Sequence, residues 1–136
     1  MIENLTSDDA FDMVIKRGHD FFVGVPDSLL KDFLKKVDKS GLEHVVATNE
    51  AHAVGIAFGA ILGGRKPAVY LQNSGLGNII NPLTSLCIPA NIRPLLIVGH
   101  RHTLPQHKVM GEVDRKMLQL IGYDDAFFVS GDNNVK

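Results

Sequence analysis

Three stretches of this sequence carry side chains that could do chemistry. Glu50 follows the apolar run His44 to Ala47 and opens a helical stretch, Ala53 to Leu62, that has no charged residue of its own. A carboxylate in that place suits proton transfer. An acid in a first helical turn is also favoured simply by the helix dipole, with Thr48 or Asn49 as cap, and that is the plainer account of it. What favours chemistry is the apolar helix behind Glu50, which implies burial, and a buried carboxylate without a partner holds its proton more tightly.

The second stretch is Gln72-Asn73-Ser74-Gly75-Leu76-Gly77-Asn78. Its glycines allow close backbone approach, and its Asn and Ser side chains with a helix N-terminus supply donors suited to a carboxylate, phosphonate or sulfonate. It is neither a dinucleotide fingerprint, since Ile80 stands where a third glycine belongs, nor a P-loop, since no Gly-Lys-Ser/Thr follows. An ordinary Asn/Gly turn would read the same way. The third stretch, His100 to Lys108, gathers His100, His102 and His107 with Arg101 and Lys108. Its spacing matches no standard zinc pattern, and no metal ligand set is assigned to it. Arg101 and Lys108 facing an anionic substrate, with His107 moving a proton, is one account of it, and a solvated loop is the other.

The elements that would position these groups follow from periodicity. Thr6 and Asp9 stand at capping-box spacing ahead of Ala10, Phe11, Val14 and Ile15, a helical stripe that ends at Gly18. Phe21 to Val25, closed by Pro26, reads as a strand buried on both faces. Asp27 or Ser28 then caps a helix with Leu29, Leu30, Phe33, Leu34 and Val37 inside. The unit recurs with strands at His44 to Ala47, Ala68 to Leu71 and Pro94 to Val98, and with helices at Glu50 to Leu62 and after Gly77. Met117 to Ile121 reads as helix and Phe127 to Val129 as a last strand. This alternation predicts an α/β fold, a doubly wound, mostly parallel sheet with helices on both faces, in a single domain over residues 1–136. In such sheets ligands bind beyond the carboxyl ends of the strands, where all three stretches fall. The helix Ala53 to Leu62 is apolar all round and carries Gly55 and Gly59 one turn apart, so it must be covered all round: by a tight core, or by a second chain in close approach.

With 14 basic and 15 acidic residues the chain offers no general attraction to nucleic acid or to an anionic membrane. Its single Cys87 excludes an intramolecular disulfide and fits a reducing compartment. No apolar run approaches the roughly 18 residues of a membrane span, and the N-terminus has no signal-peptide pattern, so a cytoplasmic location is expected.

Taken in order, Gly24-Val25-Pro26-Asp27-Ser28-Leu29-Leu30-Lys31-Asp32-Phe33, Asn49-Glu50, Gln72 to Asn78, Asn81-Pro82-Leu83-Thr84-Ser85-Leu86 and Pro105-Gln106-His107 resemble the N-terminal, pyrimidine-binding domain of phosphonopyruvate decarboxylases. Sulfopyruvate decarboxylase, whose pyrimidine-binding part is often a separate alpha subunit, is similar and shares fewer of these strings. The resemblance spans Phe21 to Met110.

It implies a carboxy-lyase that uses thiamine diphosphate. A glutamate in the place of Glu50 shares a proton with N1′ of the cofactor's aminopyrimidine, and the activated cofactor releases carbon dioxide from a 2-oxo acid. Pro26 and Asn73 fall on the cofactor side with Glu50. Asp27, Ser28, Asn73, Ser74, Asn78, Arg101 and His107 fall on the substrate side, with Glu50 and His107 as the catalytic pair. The substrate implied is a small anionic 3-substituted pyruvate, phosphonopyruvate first and sulfopyruvate second. Diphosphate and Mg²⁺ would be held by a beta subunit in an alpha2beta2 or larger assembly.

The family's diphosphate domain carries a Gly-Asp-Gly motif and a distant Asn-Asn. The tail Gly131-Asp132-Asn133-Asn134 echoes those letters at the wrong spacing and reads as a polar terminus. The segment before Pro105-Gln106-His107 is shorter than in the family and lacks its acidic residues, and Ala51-His52 replaces smaller or amide residues. Two other readings remain: a non-catalytic binding or regulatory module that keeps the fold, and the N-terminal domain of a longer decarboxylase.

Overall fold

The computed structural model describes residues 2–130, so the tail motif lies outside the described residues. Six strands form one sheet in the order β1-β6-β5-β4-β2-β3, every pair parallel. They are β1 (Glu3–Leu5), β2 (Phe21–Gly24), β3 (Glu43–Val46), β4 (Pro67–Gln72), β5 (Leu95–His100) and β6 (Ala126–Ser130). The principal helices are α1 (Ser7–Lys16), α2 (Lys31–Ser40), α3 (Glu50–Leu62) and α6 (Pro105–Leu120).

Strands β2, β4 and β5 are buried along nearly their whole length, as their unbroken apolar sequences demand. Side-chain alternation divides the core between the two faces. Phe22, Tyr70, Ile97 and Phe127 point to the side covered by α1 and α2, where Ala10, Val14, Phe33 and Val37 meet them. Val23, Val69, Leu96 and Phe128 point to the other side, against Ala53, Val54 and Ala57 of α3 and Leu118 of α6. Thr6 caps α1, its hydroxyl accepting from the Asp9 N–H at 3.1 Å. The edge strand β3 is fastened by a buried tyrosine. His44 Nδ1 donates to Asp38 Oδ1 at 2.8 Å, so the Tyr70 hydroxyl donates to Nε2 at 2.6 Å, and burial pushes the Tyr70 phenol up to about 12.

Three features depart from the periodicity reading. β1 is a three-residue strand pairing with β6, too short and too polar to carry a pattern. The helix expected after Gly77 is a broken run: a 3₁₀ segment (Asn73–Asn78), α4 (Ile80–Pro82), a π turn (Leu83–Cys87) and α5 (Ile88–Ala90). Pro89 has no N–H for the turn behind it and its ring would strike the carbonyl four residues back, a conflict that the wider π turn relieves. Finally, α6 begins at Pro105 and not at Met117. Pro105 sits at its first turn, where a missing N–H costs nothing, so Pro105-Gln106-His107 is helix rather than loop.

Candidate functional site

The predicted site residues converge at the carboxyl edge of the sheet. The chain leaves β2 outward to β3 and returns past it to β4, so the winding reverses between β2 and β4, the place where open α/β sheets bind ligands. Asp27 and Ser28 follow β2, and Asn73 to Asn78 follow β4. Glu50 follows β3, and Arg101 follows β5.

Glu50 is the first residue of α3. Asn49 caps the helix, its side-chain oxygen accepting from the His52 N–H at 2.9 Å, which fixes the direction in which α3 leaves the strand. The carboxylate of Glu50 accepts from Asn78 Nδ2 at 2.9 Å. Gly75 lies directly against it, since a Cβ at that position would stand 2.6 Å from both Cγ and Oε1 of Glu50. The 3₁₀ segment is therefore moulded on the glutamate. The expectation of a fully buried Glu50 is not met by this chain alone, in which the residue is half-buried. The physical reason is on α3 itself: Ala53, Val54 and Ala57 are covered by the sheet, while Gly55, Gly59 and Leu62 are open.

A second group forms around Arg101. Its guanidinium donates to Asp27 Oδ1 at 2.9 Å and Oδ2 at 3.3 Å, and to Ser28 Oγ at 2.6 Å. Both charged side chains are largely out of solvent, at 13% and 10% exposure, so the pair is a partly buried one rather than a screened surface contact. Asp27 also caps the short turn Ser28–Leu30 through the Leu29 N–H at 3.2 Å. Pro26, Asp27 and Ser28, with Lys31 and Lys35 of α2, line an open cavity of about 490 Å³. Two lysines there oppose two aspartates, Asp27 and Asp38.

Asn73, the first residue of the 3₁₀ segment after β4, joins this group. Its amide Nδ2 spends both hydrogens, on the Arg101 carbonyl at 2.8 Å and on Asp114 Oδ2 at 3.0 Å. Its Oδ1 is buried without a partner. His107 Nδ1 is likewise buried and unpaired, and no hydrogen bond among the described residues ties His107 to Glu50 or Asp27. Ser74 is exposed. His100 and His102 stack with ring centroids 4.9 Å apart, and among the described residues no group of three or more His, Cys, Asp or Glu could hold a metal. Sequence reasoning missed Asp114, a carboxylate in the middle of α6 that no local motif marks, and the steric role of Gly75.

The model of the thiamine pyrophosphate enzyme N-terminal TPP binding domain matches residues 6–121. The chain belongs to the thiamine pyrophosphate enzyme family. Within that family it is similar to sulfopyruvate decarboxylase subunit alpha of Methanococcus maripaludis, 36% identical over 121 residues, which cover 85% of this chain and 72% of the relative. The same subunit of Methanocaldococcus jannaschii is 40% identical over 106 residues, covering 74% and 63% of the two chains. Phosphonopyruvate decarboxylase of Streptomyces viridochromogenes is 39% identical over 103 residues, 71% of this chain and 26% of that longer one. Among solved structures, 2-oxoglutarate:ferredoxin oxidoreductase from Magnetococcus marinus superposes with a TM-score of 0.62 at 15% identity, over 93% of this chain and 28% of that one, a likeness of fold alone. No helix among the described residues of this thiamine pyrophosphate enzyme domain is long and apolar enough to cross a membrane.

Proposed function

We propose that the chain is the alpha subunit of a thiamine-diphosphate-dependent decarboxylase that converts a 3-substituted pyruvate, bearing a phosphonate or a sulfonate, to the corresponding acetaldehyde and carbon dioxide. The observation that carries this reading is Glu50 itself: a carboxylate at the carboxyl edge of the sheet, held by Asn78 and Gly75, on a helix whose outer side is uncovered. When bound, the cofactor supplies the electron sink for the bond to carbon dioxide. Glu50 would hold the aminopyrimidine ring and exchange a proton with it at its carboxylate, which Asn78 keeps aimed and for which Gly75 leaves room. Pro26 and Asn73 flank the same ligand. The buried, unpaired Oδ1 of Asn73 fits a ligand that brings a hydrogen-bond donor.

Arg101 gives the anionic substituent its cation. Asp27 and Ser28 hold its guanidinium through Nε and Nη2, so its remaining donor can meet the ligand without the arginine moving. Ser74, Asn78 and His107 complete the substrate side, with His107 as the proton carrier. Diphosphate and Mg²⁺ fall to a beta subunit, in an alpha2beta2 or larger assembly in the cytoplasm. Gly55 and Gly59 on the open side of α3 support such a partner, since they let another helix approach closely.

The test is a tagged purification from the native cells, with mass spectrometry of whatever accompanies the chain stoichiometrically. The complex is then assayed on phosphonopyruvate and sulfopyruvate side by side. A co-purifying chain with the Gly-Asp-Gly and Asn-Asn elements and release of carbon dioxide from either substrate is the expected result. A chain that comes out alone and does not bind thiamine diphosphate overturns the proposal in favour of the non-catalytic module.

A further inference from the structure

Asp114 is only 2% exposed in the middle of α6, and both of its carboxylate oxygens accept hydrogen bonds. Its Oδ2 accepts from His100 Nδ1 at 2.5 Å and from Asn73 Nδ2 at 3.0 Å, and its Oδ1 accepts from the Arg115 N–H at 2.7 Å. A buried carboxylate that accepts on both oxygens has two consequences for its neighbours. First, the neutral His100 ring must carry its proton on Nδ1, which leaves Nε2 as an acceptor. Second, Asn73 must turn its NH₂ toward Asp114 and the Arg101 carbonyl, both acceptors, which leaves Oδ1 facing the other way, buried and unpaired.

The packing that brings α6 to this spot is specific. A Cβ on Gly111 would lie 2.3 Å from His102 Cβ and 2.8 Å from the Arg101 carbonyl oxygen, so only glycine lets the helix dock on the Arg101-His102 turn. His100 stacks on His102 and lines a cavity of about 510 Å³ with Thr103, Lys108 and Glu112.

We propose that Asp114 is a positioning residue of the site: through one carboxylate it sets the Nδ1–H tautomer of His100 and the amide orientation of Asn73, so that both present acceptors to a bound ligand's N–H or O–H groups. Asp114 touches no ligand itself. Only the turnover arm of the test rests on the decarboxylase reading, whereas the tautomer arm stands without it.

The deciding variant is Asp114→Leu, which keeps roughly the same volume and removes both acceptors. An amide would not do, since its oxygen could still accept from His100 and Asn73 together. Without an acceptor at Nδ1 the histidine proton moves to Nε2, and the Asn73 amide loses the partner that fixes its orientation. The measurement is the long-range ¹H–¹⁵N spectrum of histidine-labelled protein in its native assembly, together with thermal melting and turnover. The expected result is Nδ1–H on His100 in the wild type and Nε2–H in the variant. Turnover of the folded fraction is expected to fall by roughly tenfold or more, the equivalent of about 1.4 kcal/mol. An Nε2–H tautomer in the wild type overturns the proposal even if the variant fails to fold. So does a variant with unchanged tautomer and turnover, or one that only melts earlier while its folded fraction turns over normally. Absence of turnover in the wild type, with the tautomer switch present, tells against the decarboxylase reading and not against Asp114.

Discussion

The carboxylate of Glu50 occupies the space that a side chain at position 75 would need: a Cβ on Gly75 would lie 2.6 Å from Glu50 Cγ, well inside any real carbon–carbon contact. Gly75→Ala must push the glutamate off its position or shift the 3₁₀ segment. Because a misplacement of about 1 Å at a reacting group costs on the order of 100-fold in rate, turnover is expected to fall by that scale. The 3₁₀ segment also seats Leu76 in the core, so the crowding should cost the fold ~1–3 kcal/mol. Steady-state kinetics and thermal melting check this, and a Gly75→Ala enzyme with normal turnover would refute the contact's importance.

Arg101 and Asp27 form a partly buried pair, so removing one partner strands the other. Arg101→Ala should destabilise the protein by about 3 kcal/mol. It should also raise KM for the anionic substrate more than it lowers kcat. Arg101→Lys restores charge but not the two-point contact, and is expected to recover only part of either loss. Denaturant melts and a KM-against-kcat comparison test both statements.

The open side of α3 predicts an assembly defect. Gly55→Leu or Gly59→Leu places a large side chain where nothing lies within 4 Å in the single chain, so folding of the chain should be untouched. Assembly should fail, because a leucine cannot enter a close helix contact. An unchanged assembly mass by light scattering would show that the uncovered side is not an interface.

His19 predicts a pH effect away from the site. Burial holds its pKa below the ordinary 6.5, with the charges of Lys66 and Arg17 acting the same way, and these outweigh the Pro67 carbonyl, which accepts from Nδ1 at 3.1 Å and favours the protonated ring. A lowered folded-state value means that the unfolded chain takes up the proton first. Stability is therefore complete above pH 6.5 and falls as the pH drops from there through the folded-state value. Asp20, lowered chiefly by the Lys66 N–H and further by Arg65, loses its contribution as the pH falls from the ordinary carboxylate value of 3.8 through its lower folded-state value, well to the acid side of the His19 effect. His19→Gln should flatten the acid side of a stability-against-pH curve near neutrality. A curve parallel to the wild type would exclude His19 as the cause.

The fold was legible where sequence pattern and burial agree. The unbroken apolar runs of β2, β4 and β5, the Thr6 cap and the Asn49-Glu50 helix start all follow from local chemistry. β1 was not legible, because three residues on a sheet edge carry no period. Neither was the start of α6, because Pro105 after a polar turn reads as a breaker and its helical role depends on docking at Gly111. In the site, Glu50 with Asn78, and Asp27 with Arg101, were named in advance as candidates but not as partners. They are 28 and 74 residues apart, and only the return of the chain past β2 brings each pair together. Asp114 was invisible because it precedes the helix expected from Met117, and its burial follows only from the docking of the full α6 on the Arg101-His102 turn.

Under the proposed function, Glu50 activates the cofactor. The measurement that tests it most directly is carbon dioxide release from phosphonopyruvate and sulfopyruvate by the assembled enzyme carrying Glu50→Gln, beside the wild type, with assembly mass and thiamine diphosphate binding followed in the same preparation. Intact assembly and turnover reduced to background are expected in the variant. Normal turnover in an assembled, cofactor-bound Glu50→Gln enzyme would contradict that role of Glu50.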